Sequence, residues 1–168
     1  YALDAKTGEF LWARETVAQN SVSDLNKETG EATAGSTSAG ACPGKLGGKS
    51  WTASAYSPSA KAIYLPLINA CTDASGNPIV SPGSDKLGRL EAISAASGKT
   101  LWKFELPSPV GSVLATAGGL VFVGDLSRRF HALDAESGKE LWSTTLAGAI
   151  TGYPFSYAVE GKQYIAVA

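Results

Sequence analysis

The sequence predicts an all-β protein, part of a β-propeller, and the main observation is an eleven-residue phrase that occurs three times. Each copy reads Ala, Leu or Ile, Asp or Ser, Ala, any residue, Ser or Thr, Gly, two variable residues, Leu and Trp. The Asp and Ser/Thr side chains can bond the local backbone, and Gly supplies the positive φ of a tight turn. Each phrase therefore predicts a hairpin that places a tryptophan on one face of a sheet. The copies occupy residues 2–12, 92–102 and 132–142.

The spacing of the phrases is the second observation. Trp102 and Trp142 lie 40 residues apart, which is the length of one four-stranded propeller blade. Trp12 and Trp102 lie 90 apart, which fits one blade with a long insertion or two blades of which one has lost its phrase. We favour the insertion, because residues 15–48 are rich in Gly, Ser, Thr and Ala without sustained apolar alternation. Residues 72–86 predict a second inserted loop.

The remaining segments predict strands in order, and no segment longer than a turn has helical periodicity. We expect two whole blades and two half-blades, with Trp102 and Trp142 buried in successive blades. The predicted strands are 51–57, 61–68, 88–93 and 99–105, then 112–117, 120–124, 129–133 and 139–145, then 151–157 and 163–168. The predicted division is 1–13 for the end of one blade, 14–48 for the inserted loop, 49–105 and 106–146 for blades, and 147–168 for the start of the next.

A propeller closes its ring with about four to eight blades, and an open stack would leave bare sheet edges. The predicted blade count is too small for such a ring. We therefore expect the chain to be part of a longer polypeptide, whose remaining blades are its first partner.

Composition excludes several function classes. The net charge is −1, so no broad basic surface for nucleic acid is expected, and Arg128-Arg129 is interpreted as a solvated turn. No apolar run approaches the length of about 18 residues that a membrane span needs. The single histidine, His131, has no partner at ligand spacing, which argues against a zinc site.

The two cysteines, Cys42 and Cys71, flank the first strand pair of the long blade. An even count in a chain rich in Gly, Ser and Thr fits a disulfide and an oxidising compartment. The alternative is a pair of unpaired buried thiols.

Several segments together resemble the quinoprotein alcohol dehydrogenases, enzymes that carry pyrroloquinoline quinone (PQQ). The repeated phrase looks like the tryptophan-docking motif of that family, in which Trp12, Trp102 and Trp142 would lock neighbouring blades together. The more specific block runs from Cys42-Pro43 through Gly47-Gly48-Lys49-Ser50-Trp51 and Tyr56-Ser57-Pro58 to Cys71. The separation of the two cysteines also matches a structural disulfide of the family. Residues 113–125 and 161–167 resemble the final blades, so the resemblance covers nearly the whole chain, as the C-terminal blades of the family's eight-bladed propeller.

The resemblance implies a periplasmic dehydrogenase with PQQ beside a Ca²⁺ or lanthanide ion. In that family an Asp takes the alcohol proton, hydride passes to the quinone, and electrons leave to a cytochrome c. The metal ligands and the catalytic Asp belong to segments with no matching motif here. We therefore assign no catalytic residue and no metal ligand to this chain.

Two residues are predicted to contact the cofactor by this resemblance. Ser50 stands where the family has a polar residue that bonds the PQQ edge, and Trp51 offers a flat apolar wall for a planar ring system. The alternative for Trp51 is a tryptophan of the blade core. Lys49 is a weaker candidate for a PQQ carboxylate, with a solvated lysine as the alternative. Asp125 is interpreted as a local backbone acceptor.

Two functions follow as hypotheses. The first is part of a PQQ-dependent dehydrogenase acting on small alcohols, polyols or sugars. The second is a non-catalytic PQQ-repeat propeller that serves as a scaffold for protein assembly. The segment 42–51 favours the first, because a scaffold blade has no need of a loop that reaches the propeller axis.

Overall fold

The computed structural model describes residues 1–168 and is all-β, as predicted. Its strands divide between two compact units, Tyr1–Gly48 with Asn69–Asp85, and Lys49–Ile68 with Lys86–Ala168. No helix in it has the length and apolar character that crossing a membrane requires.

The second unit holds two four-stranded antiparallel sheets and one hairpin. The first sheet has the order β11-β10-β7-β6, the second β12-β13-β14-β15, and the hairpin pairs β16 with β17. The strands are β6 (Ala55–Ser57), β7 (Ala62–Ile68), β10 (Gly88–Ser94), β11 (Thr100–Leu106), β12 (Val110–Ala115), β13 (Leu120–Asp125), β14 (Arg129–Asp134), β15 (Glu140–Thr145), β16 (Phe155–Val159) and β17 (Lys162–Ala166).

The core of the second unit lies between its two large sheets. Alternate residues of the paired strands point into it, as expected for sheets with two packed faces. Its fully buried members include Tyr64, Leu90, Val121, Val123 and Leu133.

The first unit contains short strand pairs. They are β1 (Ala2–Leu3) with β2 (Phe10–Trp12), β3 (Val22–Leu25) with β4 (Ala32–Ala34), and a sheet of β5 (Gly40–Ala41), β8 (Ala70–Asp73) and β9 (Pro78–Val80). Both predicted loops are thus partly wrong. Residues 15–48 contain strands β3 to β5, and residues 72–86 contain β9 and the end of β8.

The repeated phrase forms the predicted hairpin in every copy. Its first Ala pairs with its Trp, as in Ala2 with Trp12, Ala92 with Trp102 and Ala132 with Trp142, and a bulge follows each of these alanines. The bulge adds a residue on one strand and so sets which side chains reach each face beyond it.

The turn inside the phrase repeats one backbone bond in every copy, in which the Gly amide donates to the carbonyl four residues before it. The Asp134 Oδ1 atom accepts from the amides of Glu136 and Ser137, and the Gly138 amide donates to the Asp134 carbonyl. Gly138 has φ +70° and Gly98 has φ +68°, the left-handed values that glycine tolerates best.

A fourth turn of this kind lies in the segment predicted to be an inserted loop. Asn26 takes the place of Asp, its Oδ1 atom accepts from the amides of Glu28 and Thr29, and the Gly30 amide donates to its carbonyl. The sequence pattern missed this turn because the strands beside it lack the phrase's Ala and Trp.

Candidate functional site

The predicted cofactor contacts, Ser50 and Trp51, lie in an irregular loop before β6. Strand β6 is an edge strand of the first sheet and the first strand of that sheet along the chain. The Trp51 side chain is 65% exposed. It is not packed in the core of either large sheet of this chain, and its contact with the cofactor stays a prediction. The strand predicted over 51–57 begins only at Ala55, which leaves Trp51 on the loop.

The loop is held by a lysine. The Lys49 ammonium donates to the carbonyl of Ser50 at 2.8 Å and also to the carbonyl of Thr52. Partial burial lowers the pKa of Lys49 below its ordinary value, because the charged form loses hydration. Lys49 therefore stabilises the backbone on both sides of Trp51.

The loop is hydrogen-bonded to the second sheet through Ala53. The Ala53 amide donates to the Ser112 Oγ atom at 2.9 Å, and the Val113 amide donates to the Ala53 carbonyl at 3.0 Å. Ser112 is buried on β12, the first strand of the next sheet. These two bonds fix the end of the loop against a rigid strand.

The sequence pattern did not identify one neighbour of this site. Tyr153 lies before β16 and meets Trp51 edge to face, with ring centroids 6.4 Å apart and planes at 66°. Both aromatic residues precede the first strand of a sheet, and blades in propellers surround a central channel. That shared position was the available signal, although no repeat phrase marks it.

The tryptophans of the phrase differ in their surroundings. The Trp102 ring, 9% exposed, packs on the turn of the next sheet, and its Nε1 atom donates to the Ala135 carbonyl at 3.1 Å. The Tyr64 hydroxyl donates to the same carbonyl at 2.9 Å, and its ring lies 5.6 Å from that of Trp102. A Cβ on Gly138 would come within 2.5 Å of the Trp102 ring.

Trp142 corrects the expectation that both tryptophans are buried. Its side chain is 51% exposed. Trp102 is covered by a turn between the third and fourth strands of the following sheet, and the sheet after Trp142 has only β16 and β17. Trp12 is half-buried. The docking roles of Trp12 and Trp142 stay predictions.

Cys42 and Cys71 form the predicted disulfide, with Cα atoms 4.5 Å apart, and no cysteine is free. The bridge closes the segment that carries Gly44 and Gly47. Both glycines lie against strand β8, and a Cβ on Gly47 would come within 1.9 Å of the Ala70 carbonyl oxygen. The disulfide and these close contacts fix the chain immediately before Lys49.

Asp125 and His131 are the buried titratable groups of the second sheet. The Asp125 Oδ1 atom accepts from the Arg129 amide at 2.9 Å, which agrees with the predicted role as a backbone acceptor. His131 Nδ1 lies 3.1 Å from the Glu140 Oε2 atom. Burial lowers the pKa of His131, and the Glu140 carboxylate partly opposes that change. The chain has no group of three His, Cys, Asp or Glu residues arranged to hold a metal ion.

Comparison with known proteins adds the family. The lanthanide-dependent methanol dehydrogenase of Methylacidiphilum fumariolicum (strain SolV) is 31% identical over 99% of this chain and 32% of its own length. The dehydrogenase subunit of the quinone alcohol dehydrogenase of Acetobacter aceti is 32% identical over 99% of this chain and 27% of its own length. The chain belongs to the PQQ-dependent alcohol dehydrogenase family.

The solved structures agree with this assignment. A europium-containing methanol dehydrogenase superposes with a TM-score of 0.86 at 29% identity, covering 98% of this chain and 34% of that one. A family profile described as outer membrane protein assembly factor BamB matches residues 86–167. This member of the quinoprotein family spans between about a quarter and a third of the length of the curated relatives described above. Both the recognition from sequence and the propeller fold are confirmed.

Proposed function

We propose that this chain forms part of a periplasmic PQQ-dependent dehydrogenase that oxidises small alcohols, polyols or sugars and passes electrons to a cytochrome c. The observation that carries the proposal is the similarity of the whole chain, including loop 49–53, to enzymes of that chemistry. The disulfide of this chain is of the kind that persists in an oxidising compartment, which supports the periplasmic location.

The residues present fit one part of a quinone site. Trp51 exposes a flat apolar ring before a first strand, and a planar conjugated cofactor is bound well by such a wall. Ser50 is exposed beside it with a hydroxyl that can both donate and accept a hydrogen bond. The metal ion and its ligands are proposed to belong to the rest of the polypeptide, as are the catalytic Asp and the substrate contacts.

Each of these residues is proposed to have a separate role in the site. PQQ, when bound, supplies the two-electron redox chemistry, and the ion beside it acts as a Lewis acid. Trp51 covers one side of the ring system and excludes water from it. Ser50 bonds a polar edge and so limits rotation in the plane. Lys49 uses its ammonium on loop carbonyls, so we propose that it shapes the wall instead of binding a PQQ carboxylate.

An assembly scaffold is the second candidate, because the BamB profile matches residues 86–167. That match leaves out residues 49–53, where the candidate site lies. The scaffold proposal therefore assigns no role to the exposed Trp51, whereas the dehydrogenase proposal does.

The experiment uses the complete polypeptide that contains this chain. The apoprotein is titrated with PQQ by equilibrium dialysis, once with Ca²⁺ and once with La³⁺, and dye-linked oxidation is assayed with a primary alcohol, a polyol and a sugar. We expect saturable PQQ binding, and oxidation of at least one substrate class. Trp51→Ala should weaken PQQ binding by about tenfold or more without changing the unfolding transition.

The matched control is Tyr56→Ala, since Tyr56 is an exposed aromatic on β6 itself, beyond the loop that carries Trp51. Its PQQ affinity should stay within about twofold of wild type. Failure of the wild-type protein to bind PQQ with either ion would overturn the dehydrogenase proposal. Equal affinity of Trp51→Ala and wild type would remove Trp51 from the site while leaving the enzyme class standing.

A further inference from the structure

The exposed Trp51 presents a physical problem that its neighbours solve. A large side chain on an irregular loop has several rotamers available, and fixing it on ligand binding costs conformational entropy. A wall for a planar ligand works best when its orientation is set beforehand. Two contacts within the second unit set it here, one on the backbone and one on the ring.

The backbone contact is the Lys49 ammonium, which bridges the carbonyls of Ser50 and Thr52 and so spans Trp51. The loop could not adopt an extended path without breaking both bonds. Its far end is fixed by the amide of Ala53 on the buried Ser112 hydroxyl. The Cα of Trp51 is therefore held between two anchored points.

The ring contact is Tyr153. Its edge-to-face arrangement with Trp51, at 6.4 Å and 66°, lies within the range that aromatic pairs prefer. Tyr153 is itself held, because the Gly152 amide donates to the Ala168 carbonyl at 2.9 Å and Pro154 is buried. The indole thus meets a partner fixed by a different part of the chain, and 55% of the Tyr153 side chain is exposed beside it.

We propose that Lys49 and Tyr153 are positioning residues that fix the orientation of the Trp51 indole before any cofactor binds. Lys49 holds the loop backbone, and Tyr153 limits rotation of the ring. The consequence for PQQ affinity rests on the proposed function, while the preorganised indole does not. Tyr153 acts only through Trp51 and takes no part in hydride or proton transfer.

The first test measures the orientation without cofactor. The complete apoprotein is labelled with 5-fluorotryptophan, and the Trp51 resonance is assigned by its loss in Trp51→Phe. We expect a nuclear Overhauser effect from this fluorine to the Tyr153 ring protons in wild type. Tyr153→Leu and Lys49→Met should each move the resonance toward the position of free 5-fluorotryptophan. Absence of the Overhauser effect, or resonances that stay in place in both variants, would overturn the proposal.

Two further variants serve as controls, one conservative and one at a different lysine. Tyr153→Phe keeps the aromatic edge and should leave the resonance in place. Lys45→Met removes an exposed lysine of the preceding segment and should also leave it in place. If Tyr153→Leu unfolds, the Overhauser effect in wild type still decides the outcome, because it needs no substitution.

The second test measures PQQ affinity of the same variants. Tyr153→Leu and Lys49→Met should raise the dissociation constant by about 3- to 10-fold, with Tyr153→Phe within about twofold of wild type. Altered resonances with unchanged PQQ affinity would overturn the link to the cofactor. If the wild-type protein binds no PQQ while the two variants still show altered resonances, the positioning role stands and only the proposed function is overturned.

Discussion

Gly138 shows why the repeated phrase requires glycine at one position. Its φ is +70°, which a side chain disfavours, and a Cβ would also come within 2.5 Å of the Trp102 ring. The turn therefore needs glycine for two reasons: the positive φ of the backbone, and the space that the Trp102 ring occupies beside it. Gly119 has φ +78° and nothing within 4 Å of its missing Cβ, so it needs glycine for the backbone alone.

We expect Gly138→Ala to destabilise the protein by about 1–3 kcal/mol more than Gly119→Ala, because only the first forces the Trp102 ring to move. Urea unfolding of both variants measures the difference. The unfolding slope should stay unchanged, since neither substitution alters the surface exposed on unfolding. Equal losses for the two variants would mean that the turn tolerates a shifted ring.

His131 links stability to pH. Burial depresses its pKa in the folded state, so below its ordinary value of 6.5 the unfolded chain binds the proton more readily. This contribution to stability is complete above about pH 6.5 and is lost as the pH falls below it. Glu140, Asp125 and Arg129 are the charged groups that act on the ring.

We expect His131→Gln to reduce the loss of unfolding free energy between pH 7 and pH 5, because it removes this proton uptake. Urea titrations across that range measure it, with wild type as the reference for the carboxylates. Glu140→Gln is the informative companion, because removing its carboxylate should depress the pKa of His131 further. A wild-type stability that rises on acidification would contradict the sign.

The burial and contacts of some single side chains could not be predicted from the sequence. The phrase predicted a buried Trp102 correctly, but Trp142 has the same phrase and is half exposed. The difference lies in what covers the ring, which depends on the following sheet and not on the local residues. Tyr153 has the same difficulty, because its partner Trp51 is distant in sequence and no repeat connects them.

Secondary structure and turns were more predictable, since each depends on neighbouring residues. Strand order, the hairpins of the three phrases and both large sheets follow from Gly positions and apolar alternation. The hairpin of β3 and β4 was missed, although its Asn26 turn repeats the backbone amide bonds of the Asp134 turn. Phe10 packs on Gly30 there, as Trp102 packs on Gly138. Aromatic-on-glycine contact is therefore used once more in this chain, with Phe in place of Trp.

Packing between sheets gives a prediction on the tryptophans. Trp102→Ala should cost about 3–5 kcal/mol, because it empties a buried site between two sheets and leaves the Ala135 carbonyl with one donor fewer. Trp142→Ala in the 168-residue chain should cost less than about 1 kcal/mol, since half of that side chain already faces solvent. Thermal and urea unfolding compare them. A larger loss for Trp142→Ala would show that its exposed ring carries contacts of a different kind.

The disulfide stabilises the segment before the candidate loop. Its cysteines are 29 residues apart, and closing a loop of that length stabilises by about 3–4 kcal/mol on the chain-entropy model. The double variant Cys42→Ser with Cys71→Ser should lose about that much unfolding free energy. Intact mass before and after reduction and alkylation establishes the bridge in the wild type. Two alkylated thiols without prior reduction would contradict it and weaken the periplasmic assignment.

The chain as a whole carries one wall of the proposed site. Under the proposed function, Trp51 and Ser50 contact one side and one edge of the quinone, while the chain has no group of three His, Cys, Asp or Glu residues arranged to hold the ion. The chain covers 32% and 27% of the length of the two curated relatives it matches. Sequence reasoning reached the family through the Cys42–Cys71 block and the phrase, but not the substrate, since substrate contacts are proposed to lie outside this chain.

We therefore expect the isolated 168-residue chain to bind no PQQ and to oxidise no alcohol, even with Ca²⁺ or La³⁺ present. A single exposed indole offers too little contact to hold a charged cofactor against water, whereas an enclosed site buries most of its ligand. Equilibrium dialysis with PQQ, beside the complete polypeptide as positive control, measures this directly. The chain must first give a β-sheet circular dichroism spectrum and a cooperative unfolding transition, so that absent binding is not a result of unfolding. Saturable PQQ binding by this folded chain would place more of the site within residues 1–168 than its side chains account for.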